Sequence, residues 1–143
     1  MINHPYEFIG VFVSFQELHK KIENILRSPL EKTIMNPHVT FIYAPIEVKG
    51  ELFGSEVKIK IVGYGSDDEN EGLKVELITN NPALEEMISK IPVPHITLSI
   101  SSDGAAVNTR YLTFYEINAI EIIGIFGGCT YLGEVNCSII DYK

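Results

Sequence analysis

Basic residues are scarce in this sequence. Eleven Lys and Arg stand against 19 Asp and Glu, which gives a formal net charge of −8. Proteins that bind long nucleic acid along its backbone need a basic stripe, because counterion release drives that affinity. No Lys/Arg cluster of that kind occurs. We therefore expect no long nucleic-acid duplex as partner, and a phosphate-bearing ligand should be small or a strand terminus.

Long apolar runs and cysteines are scarce as well. No run approaches the roughly 18–20 residues of a membrane span, and the N-terminal residues lack the basic region and apolar stretch of a secretory signal. The two cysteines, Cys129 and Cys137, suit free thiols in a reducing compartment better than a disulfide. Neither has the neighbouring ligands of a zinc knuckle. These features predict a cytoplasmic monomer that does not contact a membrane.

The hydrophobic pattern predicts a single α+β domain over 1–143. Alternating or continuous apolar stretches predict strands over 6–15, 38–43, 56–63, 73–77, 95–101, 112–115, 119–126 and 131–139. Helical periodicity predicts helices over 16–27 and 82–91. Polar segments 66–72 and 102–110 are expected to be a hairpin loop and a turn.

One short motif occurs twice. Pro-His-(Val/Ile)-Thr followed by an apolar residue surrounds His38 and again His95, each time after a predicted helix and at the start of a predicted strand. Side chains at i and i+2 of a strand point to the same side. Each strand therefore presents an imidazole and a hydroxyl together, His38 with Thr40 and His95 with Thr97. If the two copies are related by approximate twofold symmetry, both pairs converge on one point.

Two imidazoles and two hydroxyls suit a phosphodiester. A neutral imidazole can accept a proton from water, and an imidazolium can protonate the leaving oxygen, near the ordinary histidine pKa of ~6.5. Hydroxyls can donate to the non-bridging oxygens, where charge grows in the transition state. Neither a metal nor a cofactor is needed. One His-x-Thr on a strand is ordinary, since such a histidine often only bonds a backbone carbonyl, but two copies in matching contexts favour a shared site.

The paired motifs resemble those of the two-histidine (2H) phosphoesterase superfamily, which carries two His-x-Thr/Ser motifs on the two lobes of an α+β fold. Here they are His38-Val39-Thr40 and His95-Ile96-Thr97, and the order of elements agrees over most of the chain. The resemblance implies a bilobal fold with two pseudo-symmetric lobes of antiparallel sheet and flanking helices.

The same resemblance implies hydrolysis of a nucleotide or RNA-end phosphodiester, such as a 2′,3′-cyclic phosphate, a 2′–5′ linkage or a cyclic nucleotide. By this resemblance His38 and His95 are the acid–base pair, without an assignment of which is the acid. Thr40 and Thr97 clamp the phosphate. A non-catalytic module of the same fold that binds a nucleotide or RNA end is the alternative, and a purely structural repeat is a third reading.

Five further residues lie near the motifs in sequence or could reach them. By alternation Ser99 shares the face of Thr97, so it either lines the cleft or lies behind it. Tyr43, Phe8 and Phe12 could stack on a base, but core packing is expected for all three. Arg110 could reach a phosphate, but a surface or salt-bridged position is the expectation.

Overall fold

Strands and short helices alternate along the chain. The computed structural model describes residues 4–27 and 29–137. The elements are β1 (Tyr6–Phe12), α1 (Phe15–Ile22), β2 (Lys32–Thr33), β3 (His38–Tyr43), a 3₁₀ helix (Gly50–Leu52), β4 (Glu56–Ser66), β5 (Asn70–Ile78), α2 (Pro82–Ser89), β6 (His95–Ile100), a second 3₁₀ helix (Ala106–Tyr111), β7 (Tyr115–Thr130) and β8 (Val135–Asn136). The α+β class predicted from the sequence is confirmed.

The eight strands formed by the described residues belong to one antiparallel sheet in the order β2-β6-β5-β4-β7-β1-β3, with β8 paired to β7. Four strands separate β6 from β3 in this order, yet these two strands contact each other directly. The sheet must therefore curl, and register shifts at Gly10, Gly63 and Gly72 add local twist. The curl brings the two motif strands together.

The apolar residues inside the motifs are buried. Val39 and Phe41 of β3, and Ile96 and Leu98 of β6, are at most 9% exposed. They join one hydrophobic core that includes residues of both α-helices, namely Leu18, Ile22 and Leu84. This burial confirms that the residues between each motif histidine and threonine, and after each threonine, face the core.

Helix α1 is shorter than the predicted 16–27. It starts after Ser14, whose hydroxyl caps it by accepting a hydrogen bond from the Glu17 backbone N–H at 3.2 Å, and it ends at Ile22. The apolar periodicity continues because Ile25 and Leu26 still pack on the core from the turn that follows. Hydrophobic pattern alone therefore overestimates the helix.

The predicted hairpin loop 66–72 is mostly strand. The turn between β4 and β5 is held by Asp67 Oδ1, which accepts the backbone N–H groups of Glu69 and Asn70 at 2.8 Å each. Asn70 and Glu71 are 2% and 1% exposed inside β5. Polar residues resembled a solvated loop here because their buried partners come from distant parts of the chain.

The C-terminal strands also differ from the prediction. Segments 112–115 and 119–126 do not form two strands, since one strand, β7, runs through Tyr115–Thr130 and pairs with both β4 and β1. Within the predicted strand 131–139 only Val135–Asn136 is extended and paired, and residues 138 and 139 lie outside the described residues. The predicted turn 102–110 contains most of the second 3₁₀ helix.

Neither α-helix of the described chain has the length and apolar character needed to cross a membrane. Cys129 and Cys137 are not joined by a disulfide. Burial raises the pKa of the Cys129 thiol.

Candidate active site

Strand β3 is held against β1 in a register that requires a glycine. His38 lies opposite Phe12 and Thr40 lies opposite Gly10. After Thr40 the pairing shifts, so that β3 accommodates one extra residue. A Cβ on Gly10 would lie 2.1 Å from the carbonyl oxygen of Val39, so only glycine permits this close approach of the two strands.

Strand β6 repeats this arrangement against β5. His95 lies opposite Lys74, Thr97 lies opposite Gly72, and the pairing shifts after Thr97 in the same sense. A Cβ on Gly72 would lie 2.3 Å from Cγ2 of Thr109, so glycine again opens space for a close neighbour. The two motifs thus share a strand register, a shift and a glycine opposite the threonine.

Both imidazoles are fixed through the same ring nitrogen. Nδ1 of His38 lies 2.7 Å from the Asn36 carbonyl oxygen, and Nδ1 of His95 lies 2.8 Å from that of Val93. A carbonyl can only accept, so Nδ1 carries the proton in both rings. In the neutral form Nε2 is therefore the basic nitrogen of each histidine, and it is left for a ligand.

The four predicted site residues line a single cleft of about 440 Å³. They are His38, Thr40, His95 and Thr97. This volume is in the range of small-molecule sites. Other lining side chains include Glu7, Phe8, Tyr43, Lys90, Val107 and Arg110.

A wider groove of about 700 Å³ lies elsewhere, beside Arg27 and Tyr64. It is larger, but no His, Cys, Asp or Glu lines it among the described residues. The smaller cleft is the better candidate because it contains groups that can transfer protons near neutral pH.

His38 is enclosed by aromatic rings. Its ring stacks on Phe8 at a centroid distance of 4.5 Å and lies 5.4 Å from the ring of Phe12. Phe12 is buried as expected, whereas Phe8 is only partly buried and lines the cleft. Burial lowers the pKa of His38, and the nearby His95 lowers it further, against the hydrogen bond to Asn36, which raises it.

His95 has a cationic neighbour instead of an aromatic one. Burial lowers the pKa of His95, and Arg110 lowers it further, against the hydrogen bond to Val93, which raises it. Both imidazoles are therefore mainly neutral at pH 7 in the free protein.

The two threonine hydroxyls are in different states. Thr97 Oγ1 is hydrogen-bonded to the Ala106 carbonyl at 3.1 Å and to the Thr109 hydroxyl at 2.8 Å. Thr40 is partly buried in the cleft lining, and within residues 4–27 and 29–137 its hydroxyl has no hydrogen-bond partner. The phosphate-clamp role predicted for both threonines thus has unequal support.

Tyr43 lies in the cleft lining, not in the core as expected. The register shift after Thr40 places it opposite Phe8, on the cleft side. It is 66% exposed, and its hydroxyl donates to Glu7 Oε2 at 2.9 Å. An isolated glycine in a strand is a signal for such a shift, so Gly10 could have led to this correction.

The equivalent shift in β6 moves Ser99 away from the cleft. Ser99 is 1% exposed, and its hydroxyl donates to Glu71 Oε1 at 2.8 Å while accepting the Leu30 backbone N–H at 3.0 Å. Glu71 also accepts a hydrogen bond from Tyr64 at 2.5 Å. Ser99 therefore anchors the connector before β2 and does not line the site.

Arg110 is exposed, as expected, and it also lines the cleft. No carboxylate of the described chain lies within ion-pair distance of it. Its Nη2 donates to the Tyr111 hydroxyl at 2.9 Å, and its guanidinium lies 4.9 Å from the centroid of that ring. No local sequence signal identifies Arg110, because long-range contacts bring its helix to the cleft.

The described residues, 4–27 and 29–137, include no group of three or more His, Cys, Asp or Glu placed to hold a metal ion. In comparisons with known proteins, no family model matches this chain and no curated protein is significantly similar to it.

Proposed function

We propose that this protein is a phosphodiesterase of the two-histidine type that hydrolyses a cyclic or 2′-linked phosphodiester in a nucleotide or at an RNA end. One observation carries the proposal: His38 and His95, each with Nδ1 bonded to a carbonyl, line the same cleft. Two imidazoles with available Nε2 atoms on opposed strands are suited to hold the attacking water and the leaving oxygen of one phosphate.

The reaction on a 2′,3′-cyclic phosphate would proceed in one displacement. The neutral imidazole accepts a proton from water as the water oxygen attacks phosphorus. The bond from phosphorus to one ribose oxygen breaks, and the imidazolium protonates that oxygen. The products are a phosphate monoester and a ribose hydroxyl, and exchange with solvent restores the two protonation states. General acid–base assistance is worth ~10²–10⁴-fold per group.

Thr40 is the hydroxyl best placed to serve the non-bridging oxygens. It shares the cleft with His38 and has no competing partner in the described chain. Donation to oxygens on which negative charge increases stabilises the transition state more than the ground state.

We also propose that the strand pairs β1–β3 and β5–β6 are equivalent halves of a bilobal, pseudo-symmetric fold of the 2H superfamily. Their matching registers, glycines and Nδ1 hydrogen bonds support this relation. A small substrate suits the cleft volume of about 440 Å³, and the exposed ring of Tyr43 is suited to stack on its base.

The test is turnover in EDTA. The purified chain is incubated with 2′,3′-cyclic nucleotides, a 2′–5′-linked dinucleotide, 3′,5′-cyclic nucleotides and cyclic dinucleotides, beside His38→Gln. We expect wild-type hydrolysis of at least one class in EDTA and loss of that activity in His38→Gln. Absence of turnover on the whole panel, or full activity in His38→Gln, would overturn the proposal. Tight nucleotide binding without product would instead identify the binding module.

A further inference from the structure

We infer that the two motif threonines have different tasks: Thr97 is a positioning residue that seats the 3₁₀ helix Ala106–Tyr111 so that Arg110 binds the anionic group of the ligand, whereas Thr40 contacts that group directly. The proposed function supplies only the class of ligand, an oxyanion of phosphate. The division of tasks rests on contacts that differ between the two halves of the site.

A buried hydrogen-bond chain connects Thr97 to the 106–111 helix. Thr97 bonds both the Ala106 carbonyl and the Thr109 hydroxyl, and Thr109 is fully buried. Asn70, 2% exposed in β5, donates from Nδ2 to the Thr109 hydroxyl at 3.0 Å and to the Ala105 carbonyl at 2.9 Å. These bonds join the start and the middle of the helix to two strands of the sheet.

The absence of a side chain at Gly72 makes this seating possible. A Cβ there would lie 2.3 Å from Thr109 Cγ2, so the methyl group of Thr109 fills the space above the glycine. In the other half the space above Gly10 is taken by the Val39 carbonyl of the adjacent strand. The Thr40 hydroxyl has no hydrogen-bond partner in the described chain and stays available.

The proton of the Thr97 hydroxyl is already in use. A hydroxyl has one proton, and whichever of its two partners receives it, none remains for a phosphate oxygen in this arrangement. Turning the hydroxyl to a ligand would break the buried chain and leave buried polar groups without a partner, which is unfavourable.

Arg110 has a charged group available for an anionic ligand, whereas Thr97 has no available proton. Its guanidinium lines the cleft near His95, is oriented by Tyr111, and has no carboxylate partner in the described chain, although the sequence holds 19 Asp and Glu. A guanidinium binds phosphate oxygens through two parallel hydrogen bonds. A cation held in this way next to the site suits an anionic ligand.

The experiment measures binding of inorganic phosphate, followed by the NMR resonances of the His38 and His95 rings. We expect Arg110→Gln to weaken binding at least about tenfold, which corresponds to about 1.4 kcal/mol. Thr97→Val and Thr109→Val should each weaken it similarly, while adding either to Arg110→Gln should change little. Thr40→Val combined with Arg110→Gln should be additive, because each group contacts the ligand independently.

Thr109→Val is the most informative variant, because it removes one of the two hydrogen-bond partners of the Thr97 hydroxyl and also unseats the helix. Unchanged or tighter phosphate binding in Thr109→Val, additivity of Thr97→Val with Arg110→Gln, or unchanged binding in Arg110→Gln would overturn the inference. The melting temperature of each variant monitors folding, and Arg110→Gln at an exposed position remains decisive if the threonine variants fold poorly. If the variants bind phosphate as expected but the wild type hydrolyses no substrate, this inference is supported and the proposed function is contradicted. If the wild type hydrolyses a substrate but the variants do not bind phosphate as expected, the proposed function is supported and this inference is contradicted.

Discussion

The strand pairs β1–β3 and β5–β6 have the same register around their motifs, but their surroundings differ. His38 stacks on Phe8, whereas His95 is beside Arg110. The hydroxyl of Thr40 is available, whereas that of Thr97 is bound to the 106–111 helix. The short repeat therefore specifies the backbone geometry, while neighbours from distant parts of the chain decide what each copy does.

The residues that follow the register shift also have different surroundings in the two strand pairs. Ile42 in β3 is 39% exposed, whereas Ser99 in β6 is 1% exposed and bonded to Glu71 and to the Leu30 backbone. Equivalent places in the two pairs therefore contribute differently to stability.

Replacing either motif histidine should reduce activity more than any other change, and it shows whether both strand pairs are needed for catalysis. His38→Gln and His95→Gln should each lower kcat/KM by ~10²–10⁴-fold, measured on the best substrate of the panel. Because the two act as a unit, the double variant should lose little more than the worse single variant. The control is His19→Gln, since His19 stacks on Phe15 outside the cleft. If only one of the two motif variants lost activity, the two-histidine mechanism would be wrong.

Replacing the glycine opposite either motif threonine should destabilise the protein. Gly10→Ala and Gly72→Ala should each destabilise the protein by about 1–3 kcal/mol through overpacking, measured by urea unfolding. Gly10→Ala should cost more, because its Cβ meets a backbone carbonyl at 2.1 Å, whereas the nearest atom at Gly72 is a side-chain methyl at 2.3 Å. A stable Gly10→Ala variant would show that the two strands do not approach so closely.

Ser99 and Ile42, which follow the register shifts in β6 and β3, should differ in how much they stabilise the protein. Ser99→Ala should cost about 1–3 kcal/mol of unfolding free energy, because it leaves the Oε1 atom of Glu71 and the Leu30 N–H without their hydrogen-bond partner. Ile42→Ala, at an exposed position, should cost roughly 0.5 kcal/mol or less. Equal losses in the two variants would mean that Ser99 does not anchor the connector.

The smallest expected effect is on pH dependence. Burial lowers the pKa of both motif histidines. The form with one imidazolium and one neutral imidazole should therefore dominate only below the ordinary histidine pKa of ~6.5. The kcat/KM profile should therefore have its maximum below about pH 6.5 and fall as pH rises, because the general acid loses its proton. A maximum above pH 7 would contradict these pKa directions.

Arg110→Gln refines this pH prediction. It removes a positive charge beside His95, so the pKa of His95 should rise while that of His38 changes less. NMR titration of the two rings measures both values. Equal pKa changes in His38 and His95 would show that Arg110 does not act mainly on His95.

The sequence supports the α+β class, the repeat and the burial of Val39 and Ile96, because these follow from alternation within a few residues. Strict alternation does not predict the register shifts that expose Tyr43 and bury Ser99, since one extra residue reverses the side of every later side chain, and Gly10 is the local signal that points to such a shift. Nor does the sequence place Arg110, whose position depends on contacts of the 106–111 helix with β5 and β6. Local pattern thus indicates the motif, and tertiary contacts complete the site.

A crystal structure with a nucleoside 2′-monophosphate bound shows whether both motif imidazoles bind the same phosphate. We predict a single phosphate with Nε2 of His38 and Nε2 of His95 each about 2.6–3.2 Å from its oxygens. A phosphate that contacts only one of these rings, or that binds outside the cleft, would contradict the account.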